Sequence, residues 1–511
     1  MNSRSTSAQQ WTAWRRPAAA GPAAVASILE NWATLPGTLP ERLAAAFARG
    51  IAREDIPAGA RLPSERALAA ALAVSRTTVV AAYERLRQEG LVESRLGSGT
   101  RVVPREGDAE ESASGRERAA DSLPATSTLV LRTVAEDPAG SISFLAAHLP
   151  GVSEVLDDAL ARSRRDISTL AGQHGYMPLG LPALRSALAA HFTRRGLATR
   201  EDQVLVTNGA QQAIDLVASH LLAPGDEVVV EDPTYPGALD LFASARARTV
   251  AIPPAAEPRA LERIAAALRR PRVRLLYLLP TFHNPTGAVL PERPRREIAR
   301  LAGETGIPVL EDHTLSDLSL GPAPPLPIAA FSKDAPILTV GSLSKLFWGG
   351  LRIGWIRGPE PWIHRLARRK AMDDLGSSVL SQAVAVRLLD SVDAVTALRR
   401  RQAGARFEAM SRALSRRLPD WEWRKPAGGL TLWVRIPRGS ASELAQVAAR
   451  HGVSVLPGSI CSPGNGFGDH LRLAFVPEPE EIREGIDRLA RAWEKYGGAR
   501  EAPRARVGVI V

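Results

Sequence analysis

Lys345 closes the run Gly341-Ser-Leu-Ser-Lys345, directly after the apolar stretch Pro336-Ile-Leu-Thr-Val340. A lysine amine condenses reversibly with an aldehyde when burial or neighbouring cations lower its pKa. Four more strand-like runs end in polar clusters. Gln203–Thr207 leads into Asn208-Gly-Ala-Gln211, and Glu227–Val230 into Glu231-Asp-Pro-Thr-Tyr235. Val273–Leu279 leads into Pro280-Thr-Phe-His-Asn-Pro-Thr-Gly287, and Ile307–Leu310 into Glu311-Asp312-His313. Ligands of parallel sheets bind beyond the carboxyl ends of the strands, so these tips are expected to converge on one pocket.

The residue types suit one cofactor. Gly209, Ala210 and Gln211 open a helical stretch, offering free amides and a positive dipole end to a phosphate. Ser342 and Arg352 add a hydroxyl and a guanidinium. Asp312 can keep a pyridine nitrogen protonated, because a carboxylate favours the cation beside it. Asn284 can donate to a phenolic oxygen, and Tyr235 can stack on a ring. Together with Lys345 these describe pyridoxal phosphate. Each piece has an ordinary alternative: a helix start, a surface lysine, a core tyrosine, an Asn-Pro turn. Their ordered succession is the signal.

Over roughly residues 141–495 the sequence resembles the class I/II aminotransferases of fold type I. The matching pieces are His174-Gly-Tyr-Met-Pro-Leu-Gly-Leu-Pro-Ala-Leu-Arg185, Thr207-Asn-Gly-Ala-Gln-Gln212, Asn284-Pro-Thr-Gly287, Glu311-Asp312, Ser342-Leu-Ser-Lys345 and Gly350-Leu-Arg-Ile-Gly-Trp355. The resemblance implies that Lys345 forms the Schiff base, that Ser342 and Arg352 bind phosphate, and that Asp312 pairs with the ring nitrogen. It implies that Tyr176 reaches the phosphate of a partner subunit. Arg472, in His470-Leu-Arg-Leu-Ala-Phe475, matches the arginine that grips a substrate carboxylate. One departure matters. The family usually places a tyrosine two or three residues after the aspartate, where this chain has Thr314 and Leu315. Leu315 cannot donate, so either His313 or Thr314 substitutes or the contact is missing.

A second set of polar residues lies near the N-terminus. Leu43–Ile51 reads as an amphipathic helix, Ser64 caps a second, Glu65–Leu72, and Ser75 caps a third, Arg76 to about Glu89. The apolar face of the third is Val79, Val80, Tyr83 and Leu86. Leu91–Arg95 and Thr100–Val103 are strand-like around a glycine-rich tip. This pattern predicts a winged helix-turn-helix. Ser75, Arg76, Thr77 and Thr78 then fall in the turn that enters the major groove, where hydroxyls meet phosphates or bases and an arginine meets a guanine edge. Arg66 can clamp the DNA backbone, and the amides of Gly97 and Ser98 can meet a phosphate or the minor groove. The blocks Leu62-Pro-Ser-Glu-Arg-Ala-Leu-Ala69, Val74-Ser-Arg-Thr-Thr-Val79, Glu89-Gly-Leu-Val92 and Gly97-Ser-Gly-Thr100 resemble the DNA-binding domain of the GntR family. By that likeness Arg66, Arg76, Thr77 and Gly97 contact DNA.

Composition sets the frame. A chain of 511 residues is too long for one ordinary core. The expected organisation is a flexible arm (1–35), the DNA-binding head (36–103), a charged, apolar-poor linker (104–140), the cofactor-binding body (141–496) and a tail (497–511). The fold class expected is α/β: a mainly helical head with a β wing, then a mostly parallel sheet and a smaller C-terminal α+β subdomain. Cys461 is the only cysteine, which excludes an internal disulfide and a cysteine-rich metal site and suits a reducing cytosol. No metal is expected. No apolar run is long enough to cross a bilayer, and no apolar stretch follows Arg15 and Arg16 as a secretory signal would require, so a cytoplasmic protein is expected. The net charge of +11 suits nucleic acid.

A GntR-like head joined to an aminotransferase-like body is the architecture of the MocR subfamily of regulators. That resemblance implies a homodimer on a double-stranded DNA operator, with pyridoxal phosphate, or its adduct with an amino compound, as the signal. The alternatives are a working aminotransferase with an appended head, and a body that serves only as a dimerisation scaffold.

Overall fold

The computed structural model describes residues 22–29, 32–53, 55–95, 99–103, 140–257 and 259–496. Most of the expected linker, the whole tail, and Gly97 and Ser98 lie outside the described residues. The chain divides into two compact units.

In the first unit, α1 (Pro22–Ile28) precedes α2 (Leu39–Ala52), α3 (Glu65–Ala71) and α4 (Arg76–Gln88). The helix starts follow from side-chain capping. The Ser64 hydroxyl accepts from the Ala67 amide at 3.3 Å, and that of Ser75 from the Thr78 amide at 3.1 Å. Gly90, at φ +70°, ends α4 as only glycine does without strain. Strands β1 (Val92–Arg95) and β2 (Gly99–Val102) pair antiparallel as the wing. Leu43, Phe47, Leu68, Val79, Tyr83, Leu86, Val92 and Val102 form the core.

Two expectations need correcting here. Residues 22–29 and 32–35 are not a free arm: Val25, Leu29 and Trp32 are each 1% exposed and join the core of the head. The Ala- and Pro-rich composition hid three large apolar side chains at spacings of four and three, enough to seat a short helix. Val80, assigned to the buried face of α4, is exposed, and Ala82 lies inside instead, since the buried stripe runs Val79, Ala82, Tyr83, Leu86.

The second unit begins with β3 (Ile142–Ser143), followed by α5 (Ser153–Leu170) and α6 (Pro182–Arg194). A seven-stranded sheet follows: β4 (Val204–Thr207), β5 (Glu227–Glu231), β6 (Arg248–Ile252), β7 (Val273–Leu278), β8 (Val309–Asp312), β9 (Ile337–Ser342) and β10 (Gly354–Arg357). Its order is β4-β10-β9-β8-β7-β5-β6, parallel except for β10. Helices α7 (Ala210–Leu221), α8 (Pro236–Ser244), α9 (Ala260–Leu268) and α10 (Glu292–Thr305) connect the strands. Alternate residues feed opposite cores: Val229, Leu276 and Val309 one, Val228, Leu275 and Leu310 the other. A parallel sheet buried on both faces gives the continuous apolar runs seen in the sequence.

Helices α11 (Glu360–Asp373), α12 (Val379–Leu388) and α13 (Val392–Arg417) lead to a smaller layer. There β11 (Glu422–Trp423), β12 (Thr431–Arg435), β14 (Leu456–Pro457) and β15 (His470–Ala474) form a sheet of order β11-β12-β15-β14. Helix α14 (Ala441–Arg450), the short strand β13 (Val453–Ser454), which pairs with β3, and α15 (Pro479–Lys495) complete it. This is the expected α+β subdomain. Among the described residues no helix is long and apolar enough to cross a membrane, and no cluster of three or more His, Cys, Asp or Glu is placed to hold a metal.

Candidate functional site

All five expected tips lie at one edge of the large sheet, because β4, β5, β7, β8 and β9 run the same way. Gly209 follows β4, Tyr235 follows β5, Asn284 follows β7, Asp312 ends β8, and Ser342 ends β9 with Lys345 in the turn beyond. The antiparallel β10 brings Arg352 to the same edge, since Gly354 sits opposite both Ser342 and Thr207.

The helix start at Gly209 is built by close approach. Gly209 has φ +84°, and a Cβ there would lie 2.9 Å from Arg352 Nη2. A Cβ on Gly354 would lie 2.5 Å from the carbonyl carbon of Gly209. Gly354 has no room for a side chain, and one at Gly209 would have to displace the Arg352 guanidinium. Arg352 Nη2 donates to the Asn208 carbonyl at 2.7 Å, beside the first turn of α7, which carries the amides of Ala210 and Gln211. An exposed guanidinium next to a helix N-terminus makes a cationic cradle suited to a phosphate. Ser342 is also here, but its hydroxyl bonds the Ile353 carbonyl and Ser344, both at 2.9 Å. Ser344 therefore belongs to this turn, although the sequence reading passed over it.

Lys345 Nζ donates to the Ala147 carbonyl at 2.7 Å. The residue is half-buried, and burial of the amine pulls its pKa down to about 8, helped by Arg472 and Arg352 and opposed by Asp312. These charges thus act on one amine. Arg472, on β15, is 5% exposed and its guanidinium binds the Leu145 carbonyl. Its Nε has no partner among the described residues, nor has Oδ1 of the buried Asn284. Buried polar atoms such as these can be satisfied by water or by a polar ligand.

Tyr235 donates to Gln211 Oε1 at 3.2 Å, while Gln211 Nε2 donates to the Gly237 carbonyl at 2.9 Å. Gln211 therefore holds Tyr235 in place through its side chain. Burial, with Asp312 nearby, pushes the Tyr235 phenol up to about 12, so it stays neutral. Asp312 accepts from the Thr314 amide at 2.9 Å and from the Tyr277 hydroxyl at 3.0 Å. Sequence reasoning missed Tyr277, because on a buried strand it reads as one apolar residue among many.

His313 is turned onto Glu311, with Nε2 3.1 Å from Oε2, and Leu315 is buried. Tyr176 stands apart at 63% exposure, stacked on His174.

In the head, Ser75 meets the hydroxyls of Thr77 at 2.7 Å and Thr78 at 2.8 Å, forming a hydroxyl cluster at the N-terminus of α4. Arg76 donates to Glu65 Oε2 from Nε at 3.1 Å and Nη2 at 2.9 Å, and remains largely exposed. Arg66 is exposed one residue beyond Glu65 on α3.

Residues 146–489 match the family model "Aminotransferase class I and II", and residues 39–102 match "Bacterial regulatory proteins, gntR family". The probable rhizopine catabolism regulatory protein MocR of Rhizobium meliloti is 30% identical over 471 residues, covering 89% of this chain and 93% of its own length. The chain belongs to the MocR-type regulators. A second relative, the HTH-type transcriptional regulator YdfD of Bacillus subtilis, is 32% identical over 86% of this chain and 93% of its own. Among solved structures, the α-aminoadipate aminotransferase LysN of Thermus thermophilus, complexed with N-(5'-phosphopyridoxyl)-L-leucine, superposes with a TM-score of 0.67 at 28% identity, covering 75% of this chain and 98% of its own. The kynurenine aminotransferase of Pyrococcus horikoshii gives 0.69 at 29% identity, over 77% and 99%. This MocR-type chain is a transcription regulator with a GntR-family DNA-binding domain fused to an aminotransferase-like domain.

Proposed function

We propose that the aminotransferase-like domain senses pyridoxal phosphate, or its adduct with an amino compound, and that the head binds a double-stranded operator in the cytoplasm as part of a homodimer. One observation carries this reading: the Lys345 amine, bonded to the Ala147 carbonyl at 2.7 Å, lies beyond the end of β9, at the sheet edge where β8 ends in Asp312 and where Arg352 precedes β10. When bound, pyridoxal phosphate supplies an aldehyde that condenses reversibly with primary amines. The chain's residues suit that group. The cradle of Gly209, Ala210 and Arg352, with Ser342 and Ser344 in the adjoining turn, would take the phosphate. Asp312 would face the ring nitrogen and the amide nitrogen of Asn284 the phenolic oxygen, with Tyr235 against the ring. The unpartnered Arg472 Nε would take an effector carboxylate. With a pKa near 8, roughly a tenth of the Lys345 amines are neutral at pH 7, so the nucleophile is available without a separate base.

The test is to load purified protein with pyridoxal phosphate, reduce it with borohydride and map the modified peptide. The mark is expected on Lys345. Lys345→Ala should lose both the yellow colour and the cofactor's effect on operator binding. An unmodified Lys345 peptide, or an operator response that survives the substitution, would overturn the proposal. Arg472 keeps open the reading of a working aminotransferase. Spectral conversion of the bound cofactor by a panel of amino acids, at rates fit for turnover, would favour that reading.

A further inference from the structure

Tyr277 on β7 reaches across to the next strand and donates to Asp312 Oδ2 at 3.0 Å. Both side chains are buried, at 0% and 4% exposure, so water does not compete for the bond. Phe242 packs edge-on against the tyrosine ring, at 5.5 Å and 72°, which limits its swing. The other carboxylate oxygen accepts from the Thr314 amide at 2.9 Å. Asp312 is thus held at both oxygens, and each keeps a further acceptor site.

We propose that Tyr277 is a positioning residue for the cofactor site: its hydroxyl fixes the direction of the Asp312 carboxylate and draws charge from it, setting how strongly that carboxylate stabilises a protonated ring nitrogen. This rests on the assignment of the pocket to pyridoxal phosphate. A buried tyrosine hydroxyl needs some acceptor, and a backbone carbonyl would serve structure equally well. Pairing instead with the carboxylate expected at the ring nitrogen ties the bond to electronics. Burial and the neighbouring carboxylate raise the Tyr277 pKa well above its ordinary value, so the phenol remains a donor. Positions 314 and 315 carry no phenol, so Tyr277 is the tyrosine that this aspartate does engage.

The experiment uses the full-length protein loaded with pyridoxal phosphate and reads the pH midpoint of the bound chromophore. Tyr277→Phe returns charge to Asp312 and makes the cationic chromophore harder to deprotonate. The midpoint should rise by at least about half a pH unit. A fluorotyrosine placed at 277, a stronger donor of nearly the same size, should move it the opposite way. It carries the test alone if the phenylalanine variant does not fold. Midpoints equal to wild type, with or without lower melting temperatures, would overturn the proposal and leave a purely structural hydroxyl. Should wild type form no chromophore, the cofactor reading fails first, which is a different result from equal midpoints.

Discussion

Arg472 and Lys345 hold two carbonyls of one short stretch of backbone, the first that of Leu145 and the second that of Ala147. After burial, the Arg472 charge is the main influence lowering the Lys345 pKa. Removing it should raise that pKa. In wild type the rate of chromophore formation with pyridoxal phosphate should rise with pH to a midpoint near 8. Arg472→Gln should move the midpoint upward by about half a unit or more, with slower formation at pH 7. Equal midpoints in the two proteins would separate the two cations.

The same lowered pKa has a consequence for stability. Unfolded, the amine titrates near its ordinary value of 10.5, against about 8 when folded. Below pH 8 both states are protonated, and the cost of burying the ammonium is fully present. Between 8 and 10.5 the unfolded chain binds more protons, so stability rises with pH. Lys345→Met removes the charge, and at pH 7 it should stabilise the cofactor-free body by on the order of 3 kcal/mol. The gap should close above pH 10.5. Chemical denaturation across this range measures it, and a gap independent of pH would contradict the account.

Gly209 answers to geometry rather than charge. An alanine there must adopt φ +84° with its Cβ 2.9 Å from Arg352 Nη2. The backbone strain costs about 1–2 kcal/mol, and the guanidinium must leave the Asn208 carbonyl it now binds at 2.7 Å. Gly209→Ala should therefore weaken pyridoxal phosphate binding at least about tenfold, beyond what its loss of stability explains. Arg352→Ala alone should weaken binding with little change in melting. Cofactor titration followed by absorbance distinguishes the two effects.

The sequence made the five strand tips legible because each tip joins an apolar run to a polar cluster whose residue types suit one ligand. Lys345, Asp312 and Gly209 could be placed in that way. Tyr277 could not, since its partner Asp312 is remote in sequence and only the β7–β8 pairing joins them. Ser344 was overlooked for a local reason: its role depends on where the Ser342 hydroxyl points. Trp32 was lost to averaging, because a window rich in alanine and proline conceals a few large side chains that still bury completely. In the head, capping serines announced the helices, while the exposure of Val80 turned on one step of helical phase.

Arg66 and Arg76 offer the sharpest contrast within the head, because their surroundings differ. The Arg66 side chain is exposed and has no hydrogen bond or ion pair among the described residues, which suits a mobile contact to phosphate. Arg76 is tethered to Glu65 through two nitrogens and projects from the first turn of α4, which suits a directed contact to a base edge. Arg66→Ala should weaken binding to all duplexes alike and reduce the slope of log affinity against log salt by about one. Arg76→Ala should instead cost about 1–3 kcal/mol on the operator and far less on unrelated DNA, flattening preference at one guanine. Affinities measured at several salt concentrations, on the footprinted operator and on a scrambled duplex, test both. If Arg76→Ala weakened both duplexes equally, its assignment to a base edge would be wrong, and Glu65 would be holding a second phosphate clamp.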